Sequence, residues 1–158
     1  MFRVLIVGFG NPLRSDDGVG WHVAQRLSGE LARADVLVLA RQQLTPEIAD
    51  FASRVEKVVF VDAAHSGEPG SLLCRRVVPA ALPSQYSHEL SPATLLTLAE
   101  RLYGGCPPAY MFTIAGETFA TGDAMSPTVC SAIPTLLARI KRFIDGGEEM
   151  DGGGIAIE

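Results

Sequence analysis

The sequence predicts an α/β fold built on a mostly parallel sheet, and three observations lead there. Short β-branched runs alternate with longer helical stretches along the whole chain. The opening run over 4–7, Val-Leu-Ile-Val, is apolar without a break, the pattern of a strand buried on both faces. A glycine-rich turn then leads directly into an amphipathic helix, which makes one βα unit.

Composition sets the outer bounds. With 158 residues, 47% of them hydrophobic and 20% charged, the chain can bury a core as one globular domain and does not read as disordered or fibrous. Thirteen basic against eighteen acidic residues give a net charge of -5, and Arg75-Arg76 is the longest basic cluster, so nucleic acid is not expected as a partner. Three cysteines, Cys74, Cys106 and Cys130, lack CxxC spacing and read as packing residues in a reducing compartment. No signal-peptide pattern or membrane-span-length apolar run is seen, so the expected location is the cytoplasm, without a membrane partner.

Residues 16–31 place Val19, Val23, Leu27 and Leu31 four apart, which predicts the first helix. A second strand over 36–40, a short helix over 46–53 and a third strand over 57–62 repeat the βαβ rhythm. The next strand, over 71–78, follows the turn Gly67-Glu68-Pro69-Gly70, too short for a helical crossover, so it is expected to run antiparallel at a sheet edge. Ser91-Pro92 and Ser126-Pro127 each supply an N-cap serine followed by proline at the first helical position. They open helices to about 103 and 144, the second bent at Pro134, with a last strand over 109–115 between them. These elements make a single domain over 1–145. The acidic, glycine-rich tail over 146–158 is expected to be flexible.

The densest chemical signal runs from Gly8 to Gly20, Gly-Phe-Gly-Asn-Pro-Leu-Arg-Ser-Asp-Asp-Gly-Val-Gly. A dinucleotide fingerprint would need a third glycine where Leu13 stands, and Asp16 and Asp17 would repel a phosphate at the helix N-terminus. Ser15 or Asp16 reads as a helix cap, with Asp17 adding favourable charge to the first turn. Asp62 ends the third apolar run, and ligands of open parallel sheets bind beyond the carboxyl ends of the strands. Asp17 and Asp62 therefore face one region of the fold in one reading, and are only turn or capping residues in the other. Among the histidines, His22 reads as a structural helix residue, His65 as a neighbour of the site or a surface side chain, and His88 as the best functional candidate, in the loop before a well-signalled helix. Two carboxylates and an imidazole form an O,O,N set suited to a borderline divalent metal with an open position. No GxSxG elbow or activated cysteine competes with them.

The stretch from Val4 through Asp16-Asp17-Gly18-Val19-Gly20, with Val61-Asp62-Ala63 and Ser87-His88-Glu89-Leu90, resembles the hydrogenase maturation proteases. The resemblance extends to about Arg142 and takes in Gln43-Leu44-Thr45-Pro46-Glu47 and Gly116-Glu117-Thr118-Phe119. It implies a three-layer αβα fold with a twisted, mostly parallel five-stranded sheet. It also implies a cytoplasmic, monomeric endopeptidase that removes the C-terminal extension of a nickel-iron hydrogenase large-subunit precursor after nickel insertion. On the same resemblance Asp17, Asp62 and His88 are the catalytic and metal-binding residues, Asp16 is only a neighbour, and the nickel is carried by the precursor. Arg41-Gln42-Gln43-Leu44-Thr45 departs from the acid and glycines that many relatives carry there.

Two other classes stand beside this reading. The run Leu5-Ile6-Val7-Gly8-Phe9-Gly10-Asn11-Pro12 also resembles the opening of peptidyl-tRNA hydrolases, but Leu13-Arg14-Ser15-Asp16-Asp17 replaces the segment that follows in that family. A non-catalytic metal- or nucleotide-binding module is the second alternative.

Overall fold

The computed structural model describes residues 1–82, 89–146 and the strand at 155–157. Alternate side chains of each central strand enter opposite cores, which is why the runs carry no polar face. Strand β1 (Val4–Phe9) is flanked by β2 (Val36–Arg41) and β3 (Lys57–Ala64), both parallel to it. Strand β5 (Ala109–Ala115) continues the parallel set beside β3, and β4 (Leu72–Val77) pairs antiparallel with β5, as its short connection requires.

Ile6, Val59, Val61, Phe112 and Ile114 pack on one face against α1 (Val19–Glu30) and α4 (Pro127–Ile144). Leu5, Val7, Val58, Phe60 and Met111 pack on the other against α2 (Ile48–Ser53) and α3 (Pro92–Tyr103). This is the expected three-layer αβα arrangement. Its sheet order is β2-β1-β3-β5-β4-β6. From β1 the chain crosses to β2 on one side and then returns to β3 on the other, so a crevice opens beyond the carboxyl ends of β1 and β3.

Several expectations are revised. The sheet gains a sixth strand, β6 (Ile155–Ile157), which pairs antiparallel with the first half of β4. The tail read as flexible thus includes an Ile-Ala-Ile segment of strong β character that adds to an open edge; residues 147–154 and 158 lie outside the described residues. Helix α4 runs through Pro134 as one helix, with the proline on its exposed side. Of the three cysteines only Cys74 is buried; Cys106 and Cys130 are exposed, so packing explains neither. Both Ser-Pro starts behave as expected, with Ser91 Oγ accepting from the Thr94 amide and Ser126 Oγ from the Val129 amide.

The glycines of the first turn serve close approach. A Cβ on Gly8 would stand 2.0 Å from the Gly20 carbonyl oxygen, and one on Gly20 would stand 2.2 Å from the Val61 oxygen and 2.5 Å from the Phe9 oxygen. Helix α1 therefore lies directly on the backbones of β1 and β3. Gly20→Ala is expected to cost about 3 kcal/mol or more, because the obstruction is backbone and cannot turn away. At Gly29, near the end of the same helix, an added methyl would meet nothing within 4 Å. Gly29→Ala should therefore stabilise by up to about 1 kcal/mol through helix propensity. Urea denaturation of the two variants checks both signs.

Candidate active site

The segment from Asn11 to Gly18 is tightly folded. Asn11 Oδ1 accepts from the Leu13 amide at 2.9 Å, the Arg14 amide donates to the Asn11 carbonyl, and Ser15–Gly18 forms a single 3-10 turn before α1. Neither that turn nor α1 has a side-chain cap, so the capping role read for Ser15 or Asp16 is not what these residues do. Gly10, at φ +142°, lets the chain leave β1 while passing so close to Asp17 that a Cβ would lie 1.9 Å from its carbonyl oxygen.

Asp16 points inward and is completely buried. Its Oδ2 accepts from the Glu117 amide at 2.8 Å, the Thr118 amide at 3.1 Å and Ser126 Oγ at 2.8 Å, and its Oδ1 accepts from the Ser126 amide at 2.7 Å. Burial pushes this carboxyl up, but the hydrogen bonds from Glu117, Ser126 and Thr118 outweigh it and hold the group below its usual range. Ser15 adds two further ties, from its amide to the Gly122 carbonyl and from Oγ to the Ala120 carbonyl. The acid read as a bystander is the clamp that fixes the loop between β5 and α4. Sequence reasoning missed it because its four donors stand more than 100 positions away.

Asp17 turns the other way, into the crevice. Its Oδ2 accepts from the Asn11 amide at 3.0 Å, and its side chain keeps 23% of its surface exposed. Asp62 lies on β3 opposite Thr113, two residues before the strand ends, and its Oδ1 accepts from the Ala63 amide at 2.8 Å. The two aspartates line a cleft of about 270 Å³ together with Phe9, Arg14, Gln42, His65 and Glu89. The two carboxylates therefore converge on one cleft. Burial raises the Asp62 carboxyl to about 7, against the Ala63 hydrogen bond, and the nearby Asp17 and Glu89 carboxylates push the same way.

His65 stands in this cleft on the turn after β3. Its ring stacks on Phe119 with centroids 3.9 Å apart and planes 16° apart, and its Nε2 is 3.6 Å from Asp17 Oδ1. The sequence signal for His65 was its position three residues beyond Asp62. His22 packs edge-on against Trp21 on α1, away from the cleft lining, as a structural residue. His88 lies outside the described residues. Among the described residues, no three His, Cys, Asp or Glu side chains gather closely enough to form a metal-holding group.

A crevice at the topological switch of a parallel sheet, floored by two aspartates, defines this chain as an α/β protein with a carboxylate cleft. No protein-family model and no curated protein matches the sequence. Solved structures do match. A [NiFe] hydrogenase maturation protease HycI from Thermococcus kodakarensis is 25% identical, with a TM-score of 0.71 over 91% of this chain and 93% of that one. The hydrogenase maturating endopeptidase HybD of E. coli has a TM-score of 0.73 at 20% identity, over 98% of both chains. A hydrogenase 2 maturation peptidase from a Thaumarchaeota archaeon has a TM-score of 0.68 at 22% identity, over 90% of this chain and 98% of that one. The chain shares the fold of these hydrogenase maturation proteases over at least 90% of its length.

Two outcomes follow from the contrasted carboxylates. Asp16 has its carboxyl held below the ordinary 3.8, so its stabilisation is complete above that pH and is lost as pH falls through the folded value. Asp16→Asn should cost roughly 3 kcal/mol at neutral pH, with little further loss on acidification, in urea titrations across pH. Asp62 behaves oppositely: its folded value is raised from 3.8 to about 7, so its ionisation lowers stability as pH rises through that window. Asp62→Asn should match the parent near pH 4 and exceed it by roughly 1–3 kcal/mol near pH 8, allowing for water at the cleft mouth.

Proposed function

We propose that this protein is an endopeptidase that removes the C-terminal extension of a nickel-iron hydrogenase large-subunit precursor after nickel has been inserted. The observation that carries the reading is the meeting of Asp17 and Asp62 in one open cleft, on the fold shared with proteins described as hydrogenase maturation proteases. Nickel enters as part of the substrate, held by the precursor, and is recognised by Asp17, Asp62 and His88. Oxygen and nitrogen donors of this kind suit a borderline divalent ion and leave positions for the substrate's own ligands. A precursor without nickel lacks the ion that bridges the two proteins, so docking itself checks that loading is complete.

The chain's own groups have distinct parts. Asn11 fixes Asp17 through Oδ2 and leaves Oδ1 facing the cleft. In the metal-free cleft burial raises the Asp62 carboxyl to about 7, and a carboxylate of this pair acting as general base on the water is the alternative to Lewis-acid activation. Nickel held by the precursor would supply Lewis-acid polarisation of the scissile carbonyl or of the water. The acidic lining repels phosphate, which disfavours nucleotide or tRNA as the ligand. The protein acts in the cytoplasm as a monomer that meets its substrate transiently.

The test is the intact mass of the nickel-loaded cognate precursor before and after incubation with the protein, beside a nickel-free precursor. Loss of a C-terminal fragment is expected only with nickel. Asp17→Asn and Asp62→Asn should each slow it by roughly 100-fold or more. No change in mass with a verified, loaded precursor would remove the protease reading.

A further inference from the structure

We infer that His65 is a nitrogen donor of this cleft, pairing with Asp17 to grip one divalent cation. The inference deepens the reading above and rests on the same cleft, but it concerns a residue to which that reading gives no role.

Three observations carry it. The first is spacing: His65 Nε2 and Asp17 Oδ1 are 3.6 Å apart, beyond hydrogen-bonding distance. Nitrogen and oxygen ligands each about 2.1 Å from a metal stand about 3.4 Å apart in tetrahedral geometry and about 3.0 Å apart at right angles. The observed separation is thus close to a tetrahedral bite and needs only a small side-chain adjustment. The second is aim. Asp17 Oδ2 is occupied by the Asn11 amide, so Oδ1 is the atom left facing the imidazole. The third is support. The His65 side chain is 65% exposed, yet its ring lies flat on Phe119, and such a stack limits ring rotation.

Phe119 is itself held in place. A Cβ on Gly116 would come within 2.4 Å of the Phe119 ring, so only glycine leaves room for it, and Phe119 packs against the core beneath. Its loop is tied down on both sides by Asp16, through the Glu117 and Thr118 amides before it and Ser126 after it. The pair supplies two donors, Asp62 lies in the same cleft, and the remaining positions are open to donors brought by the ligand.

The probes are Ni2+ and Co2+ alone, added to the full-length protein, with affinity read by calorimetry and ligand geometry by the visible absorption of Co2+. The parent is expected to bind one ion and to give the intense Co2+ bands of a four-coordinate site. His65→Ala and His65→Gln should each weaken binding by about tenfold or more and change the Co2+ spectrum. Phe119→Leu should weaken it less, and His22→Ala should leave it unchanged. Because His65 is exposed, neither of its variants should shift Tm. Parent-like affinity and spectrum in both His65 variants, or no binding by the parent, overturns the inference. The precursor cleavage assay separates the two readings: cleavage without His65-dependent binding removes this inference alone, whereas His65-dependent binding without cleavage leaves it standing and removes the protease reading.

Discussion

The buried carboxylate of Asp16 is the interaction on which the site depends. Enclosing a charge without partners would be prohibitive, and here four donors surround it, two from loop amides and two from Ser126. Ser126 also caps α4, so one residue joins the start of that helix to the first turn of the chain. The loop between β5 and α4 consequently has a fixed place beside the cleft. Without the clamp, Phe119 would lose its position and His65 its support.

Three aspartates, two of them adjacent in sequence, acquire three different characters from their surroundings. Asp16 is enclosed but saturated with donors and stays ionised. Asp17, one residue on, turns into the crevice with one oxygen anchored and the other facing His65. Asp62 is desolvated with a single amide donor and sits near carboxylates of the same sign, which keeps its proton until about neutrality. Burial with saturated hydrogen bonds and burial with a single donor thus move the Asp16 and Asp62 carboxyls in opposite directions. The sheet topology brings these groups together, since β1 and β3 are neighbours whose following segments diverge.

What was legible in the sequence was whatever local chemistry writes. The Ser-Pro starts at Ser91 and Ser126, the uninterrupted apolar strands and the short turn before β4 each carry their own physical signature, and each led to the right element. That Asp17 and Asp62 share one cleft was legible because the segments after parallel strands meet at the carboxyl end of the sheet. The function of Asp16 was not legible, because a carboxylate's partners are set by tertiary contact and nothing beside it in sequence distinguishes a clamp from a cap. The same holds for the glycines: their spacing resembles a phosphate loop, but Gly8 and Gly20 are there to let α1 touch the strands. His65 gave only proximity to Asp62, and the Phe119 ring that positions it lies 54 residues further on, taking 65 from 119. The strand at the C-terminus was hidden by the glycine-rich composition around it.

The span of the Asp16 clamp also bears on how the molecule is made. Synthesis proceeds from the N-terminus, so Asp16 leaves the ribosome more than a hundred residues ahead of Glu117, Thr118 and Ser126. Until they emerge, the carboxylate has only water for a partner and the first turn has no reason to close. The cleft is therefore completed well after its acids are made, and a nascent chain that stops short of Glu117 carries Asp17 and Asp62 without the loop that completes their surroundings.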